Sequence, residues 1–275
     1  MKRNLFLFSG ILALSLTANA QELKEEYMTW PNSQGLGEYA SQWTPGEYLF
    51  EDENFYISRV KPKARFRNAN TQINETLTEE TDKNLVFWVP IGTASGGNPN
   101  ARPNGKFDSE VFSMWSYVTH YGNWTAPQGW VPGGFADAAH KNGVGVSGVA
   151  SIPWGSLSSD WATALDNMSK NATIREKVAK FLHYHGVDGL GYNSEFNTSN
   201  TTMLSNVRAL NEEVHKYLTE QGNPVAENFW YDGTNDNGQI NFDQGLGSHN
   251  NETFGDGEHI RTSLFLNYNW WGTPL

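Results

Sequence analysis

Asn193 and Glu195 close a glycine-spaced apolar run, "GVDGLGYNSEFN" at residues 186–197. On a β-strand, residues two apart point the same way, so Gly189, Gly191, Asn193 and Glu195 share one face. The two glycines would leave room on that face, and an amide and a carboxylate would crown it at the C-terminal end of the strand. Such a pair suits a divided task, in which Glu195 transfers a proton and Asn193 holds the substrate. A bare Asn-x-Glu is also an ordinary way for a strand to meet water, so the pair needs companions. Tyr231 and Asp232, in "ENFWYDG", end the following strand and could reach the same place. An aromatic strand closing on an Asp-Gly turn is the plain alternative there. Asp232 is the rival carboxylate, whereas Asp188 stands at the start of the Glu195 strand, on the wrong end.

Other chemistries lack their residues. The chain has no cysteine, which excludes disulfides and thiol catalysis and leaves the fold to its core alone. His183 and His185 are two apart at a helix end, which is not a shared-face metal spacing. With no H-E-x-x-H and no EF-hand loop, neither a metal nor a cofactor is expected. A G-x-S-x-G elbow is missing too, which removes serine-based hydrolysis. The formal net charge of −11 argues against nucleic acid or an anionic membrane as partner, and no partner protein is implied. A neutral ligand fits. Eleven tryptophans, several of them beside Asn, Gly or Pro, exceed what packing asks of a chain this polar. Each one alone fits a loop–core boundary with one wet edge. As a set they suit the apolar faces of sugar rings.

The elements that would position these groups begin after a leader. Residues 1–20 join a basic start, an apolar run from Leu5 to Leu16 and an Ala-Asn-Ala ending, the pattern of a cleaved secretory signal. The expected destination is the bacterial periplasm, the cell surface or the medium. Residues 21–84 are polar and irregular, a leader expected to pack on the next domain. From residue 85 to 275, strand-length apolar runs alternate with helical patterns: "LVFWVPIG" at 85–92, "VFSMWSYVTHYG" at 111–122, the short helix "FADAAHKNG", and "VGVSGVASIP" at 144–153. A helix opened by a Thr173–Glu176 capping box ends at Gly186, and a second, spaced by Leu204, Val207, Leu210, Val214 and Leu218, ends at Gly222. Strands over 225–233 and 263–271 complete the set.

Strand alternating with helix predicts a parallel α/β fold. Polar and aromatic residues gather at the C-terminal ends of several strands, which favours a (β/α) TIM-type barrel over a doubly wound open sheet. A full barrel takes ~250 residues, and about 190 follow Asn84. The barrel is therefore expected to be incomplete, its last strands missing.

Four segments together resemble glycoside hydrolase family 85, the endo-β-N-acetylglucosaminidases. They are "VFSMWSYVTHYGNWTAPQGWVPGGFADAAHKNGVGVSGV", "FLHYHGVDGLGYNSEFN", "ENFWYDGTNDNGQINFDQGL" and "SLFLNYNWW", in family order across residues 110–271. The resemblance implies hydrolysis between the two core GlcNAc residues of N-linked glycans, with retention, on a glycan or glycoprotein substrate. It also implies a substrate-assisted route, an exception to the two-carboxylate scheme. In that reading Glu195 is the general acid/base, Asn193 orients the 2-acetamido group that attacks the anomeric carbon, and Tyr231 assists. Trp270, Trp271, Trp230, Asp232 and Phe242 match positions around the sugar, with Phe242 standing where the family usually has tryptophan. The other readings are a glycan-binding barrel without catalysis and a chitinase-like hydrolase. The latter would need acidic residues where Gly189, Gly191 and Asn193 stand.

Overall fold

A computed structural model describes residues 35–48, 53–64, 85–89, 112–124, 128–129, 131–256 and 258–266. Six parallel strands form one curled sheet: β1 (Val86–Trp88), β2 (His120–Trp124), β4 (Gly145–Ser156), β5 (Leu190–Asn197), β6 (Phe229–Tyr231) and β7 (Ser263–Phe265), hydrogen-bonded in that order. The two-residue β3 (Gln128–Gly129) pairs antiparallel with β4. The helices are α1 (Gly35–Gln42), α2 (Gly133–Lys141), α3 (Ser159–Ser169), α4 (Ala172–His185), α5 (Thr201–Glu220) and the single turn α6 (Asn251–Phe254).

Among the described residues, helices cover one face of the sheet only, which settles the architecture. Leu190, Tyr192 and Phe196 of β5, with Ala150 and Ile152 of β4 and Trp230 of β6, pack on α4 and α5 through Val178, Phe181, Leu182, Leu204, Val207 and Leu210. Val146 and Tyr121 continue that outer layer onto Ala136 and Ala139 of α2. The inner face carries a separate cluster of Trp88, Val149, Phe229 and Tyr231, with Phe265 against it. A doubly wound sheet would need helices there. Instead the sheet curls until Trp88 of β1 meets Phe265 of β7, with ring centroids 4.2 Å apart. The described residues form a curled, open TIM-type half-barrel whose two outermost strands touch through side chains.

Local sequence explains the elements that hold β5. Asn171 caps α4 by accepting the Ile174 amide at 3.0 Å. The cap thus lies two residues before the expected Thr173, and Glu176 pairs instead with Lys180 on the helix surface. Gly186 ends α4 in the left-handed region at φ 71°, where only glycine is unstrained. The chain then reverses into Val187 and β5. Asn228 pins the start of that strand: its Oδ1 accepts the Leu190 amide at 2.9 Å while its Nδ2 donates to the Asn211 carbonyl at 2.8 Å.

Some expected elements move. The strand at 111–122 is confined to β2, because Phe112 and Trp115 fold back onto Tyr121 and Phe135 in the outer layer. Helix α1, in a stretch without a helical period, packs Leu36 and Ala40 into the α3–α4 layer.

The N-terminal ends of the strands are closed by the segment 53–60. Ser58 donates its amide to the His185 carbonyl at 3.0 Å, and Glu53 meets His185 Nε2 at 3.0 Å with both side chains buried. Asp188 accepts from His140 Nε2 at 3.0 Å, from the Val146 amide at 2.7 Å and from Asn223 Nδ2 at 2.7 Å. His140 Nδ1 lies 2.6 Å from the Val60 carbonyl. Both its ring nitrogens therefore face acceptors, which favours the imidazolium. Burial pulls the His140 pKa down, but Asp188, the Val60 carbonyl and Asp137 outweigh it and hold it above the ordinary value. Ser58, His140 and Asp188 look like a hydrolytic triad by residue type. The Ser58 hydroxyl is spent on Asp137 and the Val60 carbonyl, and Asp188 on the Val146 amide and Asn223, at the N-terminal ends of the strands and away from the rim where barrels keep their sites, so their work here is structural.

Candidate active site

The inner face of β5 carries Asn193 and Glu195 in sequence, as the alternation requires. Asn193 is buried and Glu195 half-buried. Asn193 Nδ2 donates to Glu195 Oε2 at 2.9 Å and stands 3.5 Å from the Ile152 carbonyl. Only the NH2 end of the amide can donate to a carboxylate, so this contact sets which way the amide points. Its carbonyl oxygen is the end left to meet a substrate.

The glycines below do not leave a void. A Cβ at Gly191 would lie 2.8 Å from Trp88 Cζ2, and one at Gly122 2.6 Å from Trp88 Cδ1. The indole fills the space that both glycines release, and it forms a solid floor beneath Asn193. The expected open room is thus a correction: Gly191 admits a tryptophan, and a Cβ at Gly189 would lie 1.9 Å from the Glu227 carbonyl oxygen.

β5 is tied to β4 just below Glu195 and to the β6 side at the residues on either side of it. Ser151 of β4 pairs with Asn193 in the strand register. Ser194 donates its hydroxyl to the Tyr231 carbonyl at 2.9 Å, and the Thr234 hydroxyl stands 2.7 Å from the Phe196 carbonyl. Thr234 also gives its amide to the Ser194 carbonyl at 2.8 Å.

Tyr231 faces the same interior from β6, edge-on to Phe242 with centroids 6.0 Å apart. Phe242 in turn stacks on Trp154, at 5.5 Å and an interplanar angle of 20°. These rings come from β4, β6 and the loop after β6, so they flank the strand that carries Asn193 and Glu195. Asp232 is engaged beside this space. Its oxygens accept the Asp243 and Gln244 amides at 3.1 and 2.7 Å, which shapes the loop that presents Phe242. Burial raises the Asp232 pKa, against the lowering effect of those two amides.

Trp230 does not reach the site. It lies on the helix side of the sheet, packed on Tyr192 with its indole N–H given to the Thr234 carbonyl at 2.9 Å. As the neighbour of an inward Tyr231 it must face outward. Trp270 and Trp271 lie outside the described residues. Among those described, no group of three or more His, Cys, Asp or Glu could hold a metal ion.

Sequence reasoning passed over Trp154 and Trp124. Trp124 ends β2 and donates its indole N–H to Ser151 at 2.9 Å. Trp154 is 65% exposed. Plain alternation from Ile152 would turn it toward the helices. A bulge intervenes, and its signal was present as a proline and a glycine around the tryptophan, in "IPWGS".

The profile of glycosyl hydrolase family 85 matches residues 97–274. Among solved structures, the glycoside hydrolase domain of Endo-D from Streptococcus pneumoniae R6 is similar over 85% of this chain and 36% of that one, with 22% identity and a TM-score of 0.66. This chain thus spans about a third of the length of that relative. A GH18 chitinase, ChiB, from Flavobacterium johnsoniae is similar over 44% of this chain and 41% of its own, with 18% identity and a TM-score of 0.30. A chitinase from Bacteroides thetaiotaomicron covers 62% and 59%, with 12% identity and a TM-score of 0.33. A search of the curated proteins matched none.

Proposed function

Since the chain belongs to glycosyl hydrolase family 85, we propose that it is an endo-β-N-acetylglucosaminidase that hydrolyses the GlcNAc-β-1,4-GlcNAc core of N-linked glycans. The observation that carries this reading is the 2.9 Å contact between Asn193 Nδ2 and Glu195 Oε2 at the inner rim of β5. It joins one proton-transfer group to one amide, and the rival Asp232 has its oxygens engaged on backbone amides. A double-displacement glycosidase needs a second carboxylate as nucleophile. A substrate that carries its own nucleophile does not.

In the proposed reaction, the 2-acetamido oxygen of the bound GlcNAc attacks C1 from the face opposite the leaving group. The C1–O bond breaks, and the proton of Glu195 passes to the departing oxygen. The Asn193 carbonyl oxygen accepts the acetamido N–H, which turns more acidic as the amide nitrogen shares its electrons. Tyr231 steadies the same group. The product of this step is an oxazoline-type ring. Glu195, now a carboxylate, takes a proton from water, and the hydroxide opens the ring at C1. Two inversions restore the original configuration. The leader at residues 1–20 supports action outside the cytoplasm, on free glycans or glycoproteins.

The test is digestion of a high-mannose glycoprotein, read by mass. Loss of the glycan with one GlcNAc kept on the protein is expected from wild type. Glu195→Gln is expected to cut the rate by at least about 10²-fold, the usual worth of a positioned acid/base, while glycan binding persists. Binding by a wild type that releases nothing would favour a glycan-binding barrel without catalysis.

A further inference from the structure

The register of β4 against β5 is interrupted beside the candidate acid/base. Ile152 pairs with Ser194 and Gly155 pairs with Phe196. Between them β4 places two residues, Pro153 and Trp154, opposite the single residue Glu195. Gly155 takes up the irregularity at φ 113°, a conformation that other residues rarely adopt. The extra residue re-aims Trp154 from the helix layer to the rim, directly across from Glu195.

The re-aimed ring is braced on one side and open on the other. One face stacks on Phe242, which Tyr231 supports and which Asp232 presents through its hold on the following amides. The remainder accounts for the 65% exposure of Trp154. Burial does not explain a large apolar surface held rigid in water beside a catalytic carboxylate. A flat apolar face of this kind matches the C–H face of a pyranose.

We propose that the free face of Trp154 is the stacking platform for the sugar on the leaving-group side of the scissile bond, the GlcNAc that remains on the peptide. The proposal rests on the endoglycosidase reading of the site. Asn193 lies deeper along β5 and takes the acetamide of the sugar being attacked. Glu195 lies further out and protonates the oxygen that joins the two sugars. The sugar bearing that oxygen therefore lies at the rim beside Glu195, where Trp154 stands across from it.

Two substrates with the same glycone separate the roles: a glycopeptide, whose leaving group is GlcNAc, and a glycosyl fluoride, whose leaving group is fluoride and has no face to stack. Trp154→Ala is expected to raise KM for the glycopeptide about tenfold, equivalent to ~1.4 kcal/mol, with kcat nearly unchanged. KM for the glycosyl fluoride should stay within about twofold, and Trp154→Phe should restore most of the loss on the glycopeptide, because a smaller aromatic face still stacks. Equal losses on both substrates, or none on either, would overturn the platform. Quenching of tryptophan fluorescence by GlcNAc-asparagine reads the same contact without turnover. If wild type cleaves nothing but Trp154→Ala abolishes quenching, the platform stands and the hydrolase reading fails. If wild type cleaves and Trp154→Ala has unchanged kinetics on the glycopeptide, the hydrolase stands and the platform fails.

Discussion

Gly191→Ala isolates the floor beneath the candidate catalytic pair. The added methyl carbon would lie 2.8 Å from Trp88 Cζ2, 3.3 Å from Trp88 Cε2 and 3.2 Å from Val149 Cγ2. Carbon atoms settle about 3.5–4.0 Å apart, so the indole would have to withdraw by roughly 0.8 Å. Its exits are blocked. Phe265 stands 4.2 Å away by ring centroid, Phe229 meets it edge-on, and the Gly122 backbone lies against its five-membered ring. Overpacking of a filled core costs about 1–3 kcal/mol. Loss of glycine's freedom in the unfolded chain returns about 0.4–1 kcal/mol. The net expectation is a destabilisation of about 1–2 kcal/mol, a fall of about 2–4 °C in Tm per kcal/mol for a chain of this size. Urea unfolding followed by tryptophan emission measures it. Trp88→Leu removes the obstructing ring, so the double variant should recover at least about 0.5 kcal/mol of the sum of the single losses. Gly134→Ala in α2 is the control: its methyl would meet nothing within 4 Å, and it should be neutral or up to about 1 kcal/mol stabilising. A Gly191→Ala protein as stable as wild type, or strictly additive losses in the pair, would refute the claim that the glycine exists to seat the indole.

The His140 clamp gives a pH dependence of definite sign. Its folded pKa is raised, so its contribution is complete below the unfolded value of ~6.5 and disappears as pH rises through the folded value. The urea midpoint of wild type, relative to His140→Gln, should therefore fall as pH rises above about 6.5; a flat difference would sink the assignment. Asp188→Asn breaks the same buried pair from the other side and should cost about 3–5 kcal/mol, measured by the same unfolding curves. Asp232→Asn sets an NH2 group against backbone amides that now find carboxylate oxygens. It should cost about 1–3 kcal/mol, and raise KM for the glycan as Phe242 loses its support. An unchanged KM would show that the loop holds its shape without Asp232.

Much of this was legible because period and punctuation agreed. β5 reads as a strand by alternation, and that alone placed Asn193 and Glu195 together on the inner face. Gly186 and Gly222 marked the helix ends through their left-handed backbone, at φ 71° and 75°. What escaped depended on distant partners. Asp188 was correctly set aside from the rim, but its companions His140 and Asn223 lie far away in sequence, and no local pattern announces them. Trp230 and Tyr231 are neighbours with opposite fates, and a motif match carries both along where the strand separates them. Trp154 was lost for the opposite reason: a bulge broke the alternation that would otherwise have assigned its face. Helix α1 lacks a sustained apolar period and owes its place to contacts with α3 and α4.

The meeting of Trp88 with Phe265 has a mechanical meaning. Around the rest of the sheet, neighbouring strands are tied by N–H···O bonds, and the circumference there is inelastic. Across this one line, the described residues are joined by ring against ring. Contact of that kind falls off gradually with distance, whereas a ladder of directional bonds fails rung by rung. Among the described residues the seam therefore differs in kind from the rest of the circumference, and it lies at the far side of β6 and β4 from the strand that carries Asn193 and Glu195.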